Sequence, residues 1–263
     1  MLKHKRLIIV VILLGVLTLW LVNLARTKYV IPILMYHSVD PAADNDNLLS
    51  VTLDSFQRQM RFLKEHRYNV ISLKEVADII KNKKKVSANT IAITFDDGCR
   101  DVYIYAFPVL KKYNFPAEVF IVVNEVGLVQ ENRMSWDEVN AMQASGLIHF
   151  GSHTINHPNL AELTSEETIK NEIQGSKKIL EEKLGRRVDS FCYPSGRFNA
   201  KSRKAVIDAG YELAVATNPG KGSPNDDIFA LKRLRISSNA DNLFIFWVES
   251  SGYYNLIREG KRK

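Results

Sequence analysis

An apolar, partly β-branched run, TIAITF, ends directly in two adjacent carboxylates, Asp96 and Asp97, and then Gly98. A run of this length and type reads as a buried strand. One acid at its end is ordinary turn chemistry, and Asp101 suits the cap of a helix starting near Val102. Two acids side by side repel, and each is costly to bury, so a cation beside them is the physical remedy. A second strand-like run, GLIHF, leads into FGSHTINHPNL, which carries His153 and His157. The three-residue gap lets two imidazoles converge on one ion if the segment makes a helical turn, kept short by Pro158. The plainer reading is a pair of solvated loop histidines, which accounts for one better than for two. One carboxylate plus two imidazoles leaves coordination positions open, as in catalytic rather than structural zinc sites. With Asp97 as ligand, Asp96 is free to take a proton from water as general base.

The elements that must position these groups alternate along the chain. Strand-like runs VIPILMY, YNVIS, TIAITF, PAEVFIVV, GLIHFGS, VDSFCY, YELAVAT and IFALKRLRI are interleaved with amphipathic helices, among them LDSFQRQMRFLKEH, SWDEVNAMQAS and a long one over 164–185. Ser135 and Ser165 stand at helix starts. Repeated alternation predicts an α/β fold, a parallel sheet with helices outside, closed as a barrel or open. In either form functional groups gather at the C-terminal strand ends, where Asp96, Asp97, His153 and His157 fall. No GxGxxG or GxxxxGK[ST] follows a strand, which argues against dinucleotide or P-loop chemistry.

TFDDG together with SHTINH resembles the polysaccharide deacetylases, family 4 of the carbohydrate esterases, whose domain is shared with nodulation-factor deacetylases. The similarity covers residues 31–236. It implies a distorted parallel β/α barrel, a divalent metal (usually Zn2+, with Co2+ or Ni2+ tolerated) and removal of N- or O-acetyl groups from a glycan. By position, Asp96 matches the base, and Asp97, His153 and His157 the metal ligands. The third family motif is altered: FCYPSG keeps Pro194 and Gly196, but Cys192 stands for its arginine and Ser195 for its aromatic. The Ser195 N–H still suits an oxyanion hole, with Tyr193 beside it. Arg233 in LKRLRI is a candidate for the vacant arginine, its plain alternative being a surface residue. The fourth motif is not recognisable. The fifth, a late histidine acting as general acid, is absent. His37, in PILMYHSV at the end of the first strand, replaces it in a permuted branch that includes deacetylases of β-1,6-linked poly-N-acetylglucosamine. The plain reading of His37 is a buried histidine bonded to backbone.

Residues 7–25 carry no charge, and as a helix they reach roughly 28 Å, near the hydrocarbon thickness of a bilayer. Lys3, Lys5 and Arg6 precede them, so the expected arrangement is a cytoplasmic segment 1–6, an anchor over 7–25 and a catalytic domain over 30–263 outside the membrane. Cleavage of a signal peptide near Ala25, releasing a secreted protein, is the rival. Two cysteines, Cys99 and Cys192, are too few for a disulfide framework and read as buried thiols. The net charge of +7 comes without the basic–aromatic interleaving of a nucleic-acid binder. The expected partners are therefore an acetylated glycan and the membrane, and the chain names no protein partner. Three other readings compete. A non-heme iron oxygenase shares the two-His-one-carboxylate set but favours all-β scaffolds. A glycosidase pair needs carboxyl groups flanking one bond, which neighbours on a strand do not supply. A catalytically inactive glycan-binding member of the same fold fits the altered motifs and differs only in releasing no acetate.

Overall fold

The alternation closes into a nearly complete parallel β/α barrel. A computed structural model describes residues 11–20, 23–24, 29–43, 47–217, 227–237 and 241–254. The strands are β1 (Ile33–Tyr36), β2 (Ser38–Val39), β3 (Ser50–Val51), β4 (Asn69–Val70), β5 (Thr90–Phe95), β6 (Ala117–Ile121), β7 (Ile148–Ser152), β8 (Ser190–Cys192), β9 (Leu213–Ala216), β10 (Leu231–Lys232) and β11 (Leu234–Arg235). Eight of them run in the order β10-β9-β8-β7-β6-β5-β1-β11, every pairing parallel. Its two ends, β10 and β11, are halves of one short segment interrupted by Arg233. That segment joins β9 on one side to β1 on the other. The barrel is distorted because β4 pairs only with the start of β5, while β2 and β3 pair apart from it.

Period-two alternation sorts each strand between two cores. Ile33, Ala92, Phe120, Cys192, Leu213 and Val215 cluster on one side. Their neighbours Leu34, Ile93, Phe95, Val119, Phe191 and Ala214 pack with the helices on the other. Both faces of β5 are thus buried, which is why TIAITF reads as a continuous apolar run.

The helices are α1 (Leu53–Glu65), α2 (Leu73–Lys81), α3 (Phe107–Tyr113), α4 (Trp136–Ala144), α5 (Glu166–Lys170), α6 (Ser176–Leu184), α7 (Ala200–Asp208) and α8 (Leu243–Ser250). Local chemistry fixes their starts. Thr52 caps α1, Ser135 and Glu138 form a capping box on α4, and Ser165 accepts from the Thr168 N–H at α5. The expected long helix over 164–185 is α5 and α6 joined through a π turn, Asn171–Gly175. Another π turn, Val102–Ala106, precedes α3. Asp101 does not cap it: its backbone is already helical, and its carboxylate instead accepts from Ser38 Oγ and from Asn132 Nδ2, the latter at 2.8 Å. Both cysteines are free and buried.

Residues 11–20 and 23–24 are helical, but the rest of the expected anchor lies outside the described residues, as do residues 218–226 and the basic C-terminal sequence. Among the described residues no helix is long and apolar enough to cross a membrane.

Candidate metal and catalytic site

The β5 terminus supplies the first two groups. Asp96 continues the strand, its N–H donating to Tyr36 O of β1 at 3.0 Å. Along an extended strand Asp97 would point to the opposite face. Instead Asp97 and Gly98 both take left-handed backbone, with φ of 66° and 64°. That turn, which Asp tolerates better than most non-glycine residues, swings the second carboxylate over the same rim.

Asp96 is buried and held by Arg233, the residue between β10 and β11. Nη1 donates to Oδ1 and Nη2 to Oδ2, both at 2.6 Å. Arg233 also donates to Thr94 Oγ1 at 3.1 Å and to Cys192 Sγ at 3.1 Å. Burial of Asp96 opposes its ionisation, but the guanidinium outweighs burial and holds the carboxyl well below the usual carboxylate range. His153 and His37 add smaller contributions in the same direction. The bidentate clamp thus keeps a buried carboxylate charged and fixes its orientation. Cys192, at the position of the family arginine, packs beneath this pair as a buried thiol whose ionisation is strongly suppressed by desolvation.

Asp97, His153 and His157 converge beside it. Asp97 Oδ1 lies 3.5 Å from His153 Nε2 and 3.9 Å from His157 Nε2. The imidazole centroids are 4.6 Å apart and nearly perpendicular. His153 Nδ1 lies 2.9 Å from Cys192 O, a carbonyl that can only accept, so Nδ1 carries the proton. Burial lowers the His153 pKa, against the pull of Asp96 and Asp97, which favours the neutral ring. Its Nε2 therefore faces the Asp97 carboxylate lone pair to lone pair. Two acceptors held in that geometry fit a cation between them, and the second-nitrogen contact to a carbonyl is the usual support of a ligating imidazole. These ligand atoms all lie within 4.8 Å of one another. Asp96, His153 and Cys192 also cluster, but Arg233 already occupies that side.

The loop between the histidines is not the expected helical turn. Thr154 and His157 both take left-handed backbone, with φ of 70° and 56°, and Thr154 Oγ1 accepts the His157 N–H at 2.9 Å. Glu172 and Thr154, neither singled out from sequence, hold this loop. The TSEETIKNE pattern carries Glu172 as one more helix acid, and nothing local tells it from its exposed neighbours.

His37 follows β1 on the same rim, half-buried, with a buried Nδ1 that has no hydrogen-bond partner among the described residues. Ser195 sits in the turn after β8 with φ of 55°, and Gly196 follows at 67°. Tyr193 faces the other way. Its hydroxyl donates to Phe229 O at 3.1 Å, and its ring packs against Phe191 and Phe198.

The model of the family described as polysaccharide deacetylase matches residues 83–214. YxkH of Bacillus subtilis (strain 168), named for polysaccharide deacetylase activity, is 34% identical over 221 residues, 84% of this chain and 76% of its own. The chain belongs to the polysaccharide deacetylase family. This deacetylase is also 30% identical over 203 residues to a poly-beta-1,6-N-acetyl-D-glucosamine N-deacetylase of Staphylococcus aureus, covering 73% of this chain and 69% of that one. Among solved structures, the Streptococcus pyogenes deacetylase PplD in complex with acetate superposes with a TM-score of 0.74 at 31% identity, over 82% of this chain and 98% of its own. IcaB from Ammonifex degensii shares the fold, with a TM-score of 0.73 at 24% identity.

Proposed function

We propose that this polysaccharide deacetylase removes N-acetyl groups from an extracellular N-acetylglucosamine polymer with a divalent metal, zinc in first place and cobalt or nickel as substitutes. The observation that carries the reading is the pairing of two sites on one rim. An Arg233-clamped Asp96 stands next to an Asp97–His153–His157 set whose potential ligand atoms converge. The Staphylococcus aureus relative, named for N-deacetylation of poly-β-1,6-N-acetylglucosamine, supports the substrate class.

Asp97 Oδ1, His153 Nε2 and His157 Nε2 would hold the metal, which supplies Lewis acidity toward the acetyl carbonyl and the attacking water. The protein does the rest. Asp96, ionised and oriented, accepts the proton of that water. The N–H of Ser195, in the turn after β8, would donate to the oxygen that gains charge as the carbonyl is attacked. The departing amine needs a proton, since an amide anion is a very poor leaving group. His37, just past the end of β1 on the same rim, would supply it. O-acetyl esters would be cleaved by the same groups with less dependence on that acid.

We further propose that the uncharged segment 7–25 anchors the chain in the cell membrane with the barrel outside. The test of function is acetate release from acetylated glucosamine oligomers, other acetylated glycans serving as comparison, before and after chelation. Chelation should abolish release and added Zn2+ should restore it. Binding of the oligomers without any acetate release would mark the chain as the inactive, glycan-binding member of the fold.

A further inference from the structure

We propose that Glu172 is a positioning residue that presets the His153–His157 loop for its metal ion, an inference that rests on the metal-site reading above. Glu172 lies in the π turn Asn171–Gly175 and is buried, with 6% of its surface exposed. Its carboxylate is spent on the loop. Oε2 accepts the N–H groups of Ile155 at 2.9 Å and Asn156 at 3.0 Å, and Oε1 accepts Asn156 Nδ2 at 2.6 Å. These two residues lie between the histidines. Charge-assisted bonds to a buried carboxylate are strong, and moving the loop away would leave that charge unsatisfied.

The loop needs such a restraint. Left-handed backbone is unfavourable for the β-branched Thr154 and uncommon for His157, and it persists where surroundings over-determine it. A second feature of the same turn acts on the same loop. A Cβ at Gly175 would come within 2.9 Å of Ile155 Cδ1, so the bare backbone there seats Ile155. On the other flank Val123 and Asn124 donate their N–H groups to Thr154 O and Ile155 O, both at 3.1 Å. The widened π turn thus presents an acceptor and a seat to the chain that carries both imidazoles, and Glu172 acts on the metal ligands through Ile155 and Asn156.

The test is calorimetric titration of Zn2+ into the metal-free full-length protein, with melting of the metal-free and Zn2+-loaded forms, for wild type, Glu172→Gln, Glu172→Ala and Asp97→Ala. Glutamine keeps the size and one carbonyl acceptor but opposes its amide to Asn156 Nδ2, so it is the deciding variant if alanine does not fold. Zn2+ affinity should fall about 10- to 100-fold in Glu172→Gln, the scale of lost outer-shell support. The rise in melting temperature on adding Zn2+ should shrink, and kcat should recover toward wild type at saturating Zn2+. Unchanged affinity with equal losses in both melting temperatures would make Glu172 a merely structural residue and overturn the proposal. The Asp97→Ala arm separates the two readings: wild-type Zn2+ binding there defeats the metal site itself. Loss of binding in Asp97→Ala, with full binding in Glu172→Gln, defeats only the positioning role.

Discussion

At the scale of single residues, the neighbouring carboxylates Asp96 and Asp97 differ in their partners. Asp96 has a guanidinium and Asp97 faces two imidazoles. Replacing Asp97, His153 or His157 by Ala should abolish both bound metal and acetate release. Asp96→Asn should keep the metal, measured by elemental analysis, and lose about a hundredfold or more in kcat. The pH consequence of Arg233 has a definite sign. With Arg233 present the folded pKa of Asp96 is depressed, so its contribution to stability is complete across neutral pH and is lost only as pH falls through that low value. In Arg233→Met burial, the largest single influence, is no longer offset by the guanidinium and raises the Asp96 pKa. The acid limb of the pH–rate profile should then move to higher pH, and stability should drop by about 3–5 kcal/mol from the stranded charge. An unmoved acid limb would show that Arg233 does not tune the base. For His37→Ala the expected result is intact metal, a loss of roughly a hundred- to ten-thousandfold on the amide, and a much smaller loss on an aryl acetate whose leaving group needs no proton. Equal losses on both substrates, with a lowered melting temperature, would make His37 a packing residue.

At the scale of elements, the strand ends are shaped by close backbone approaches and buried polar groups. A Cβ at Gly196 would lie 2.6 Å from the Thr217 nitrogen, and its φ of 67° is itself unfavourable for alanine. Gly196→Ala should therefore distort the turn that carries Ser195, lowering kcat more than metal content. β6 carries a different signature. Glu118 is buried, accepts from Ser190 Oγ, and is pushed up to about 7 by desolvation, which outweighs that bond. A raised carboxyl pKa means that the folded state holds its proton where the unfolded chain, near 4.5, has released it. The contribution is full below the unfolded value and is lost as pH rises through about 7. Melting of the wild type should fall between pH 5 and pH 8 more than that of Glu118→Gln, whose uncharged side chain has no such dependence. Identical pH profiles would refute this.

At the scale of the whole molecule, the segment 231–235 closes the barrel and at the same time delivers Arg233 to Asp96, so closure and orientation of Asp96 are one event. The charge distribution at the other end of the chain sets the expected topology. Fractionation should find the full-length chain in the membrane, with the barrel accessible to protease from outside. A mature N-terminus just after Ala25, with the protein in the medium, would identify residues 7–25 as a cleaved signal instead.

Much of this was written locally. Alternating strand and helix patterns specify a parallel α/β fold because buried strands and amphipathic helices have different periods. Asp96, Asp97, His153 and His157 were legible because each follows a strand, and parallel strands put those ends on one rim. Arg233 could be suggested from sequence, but only closure of the barrel across residues far apart in the chain brought it 2.6 Å from the Asp96 oxygens. Tyr193 was placed by side-chain alternation: its neighbour Cys192 faces the site, so Tyr193 faces the helices. The turned loop between the histidines, the left-handed Asp97 and the grip of Glu172 were hidden for a common reason. Backbone strain and buried charge are tolerated only where distant groups compensate them, and those groups meet only in the folded chain.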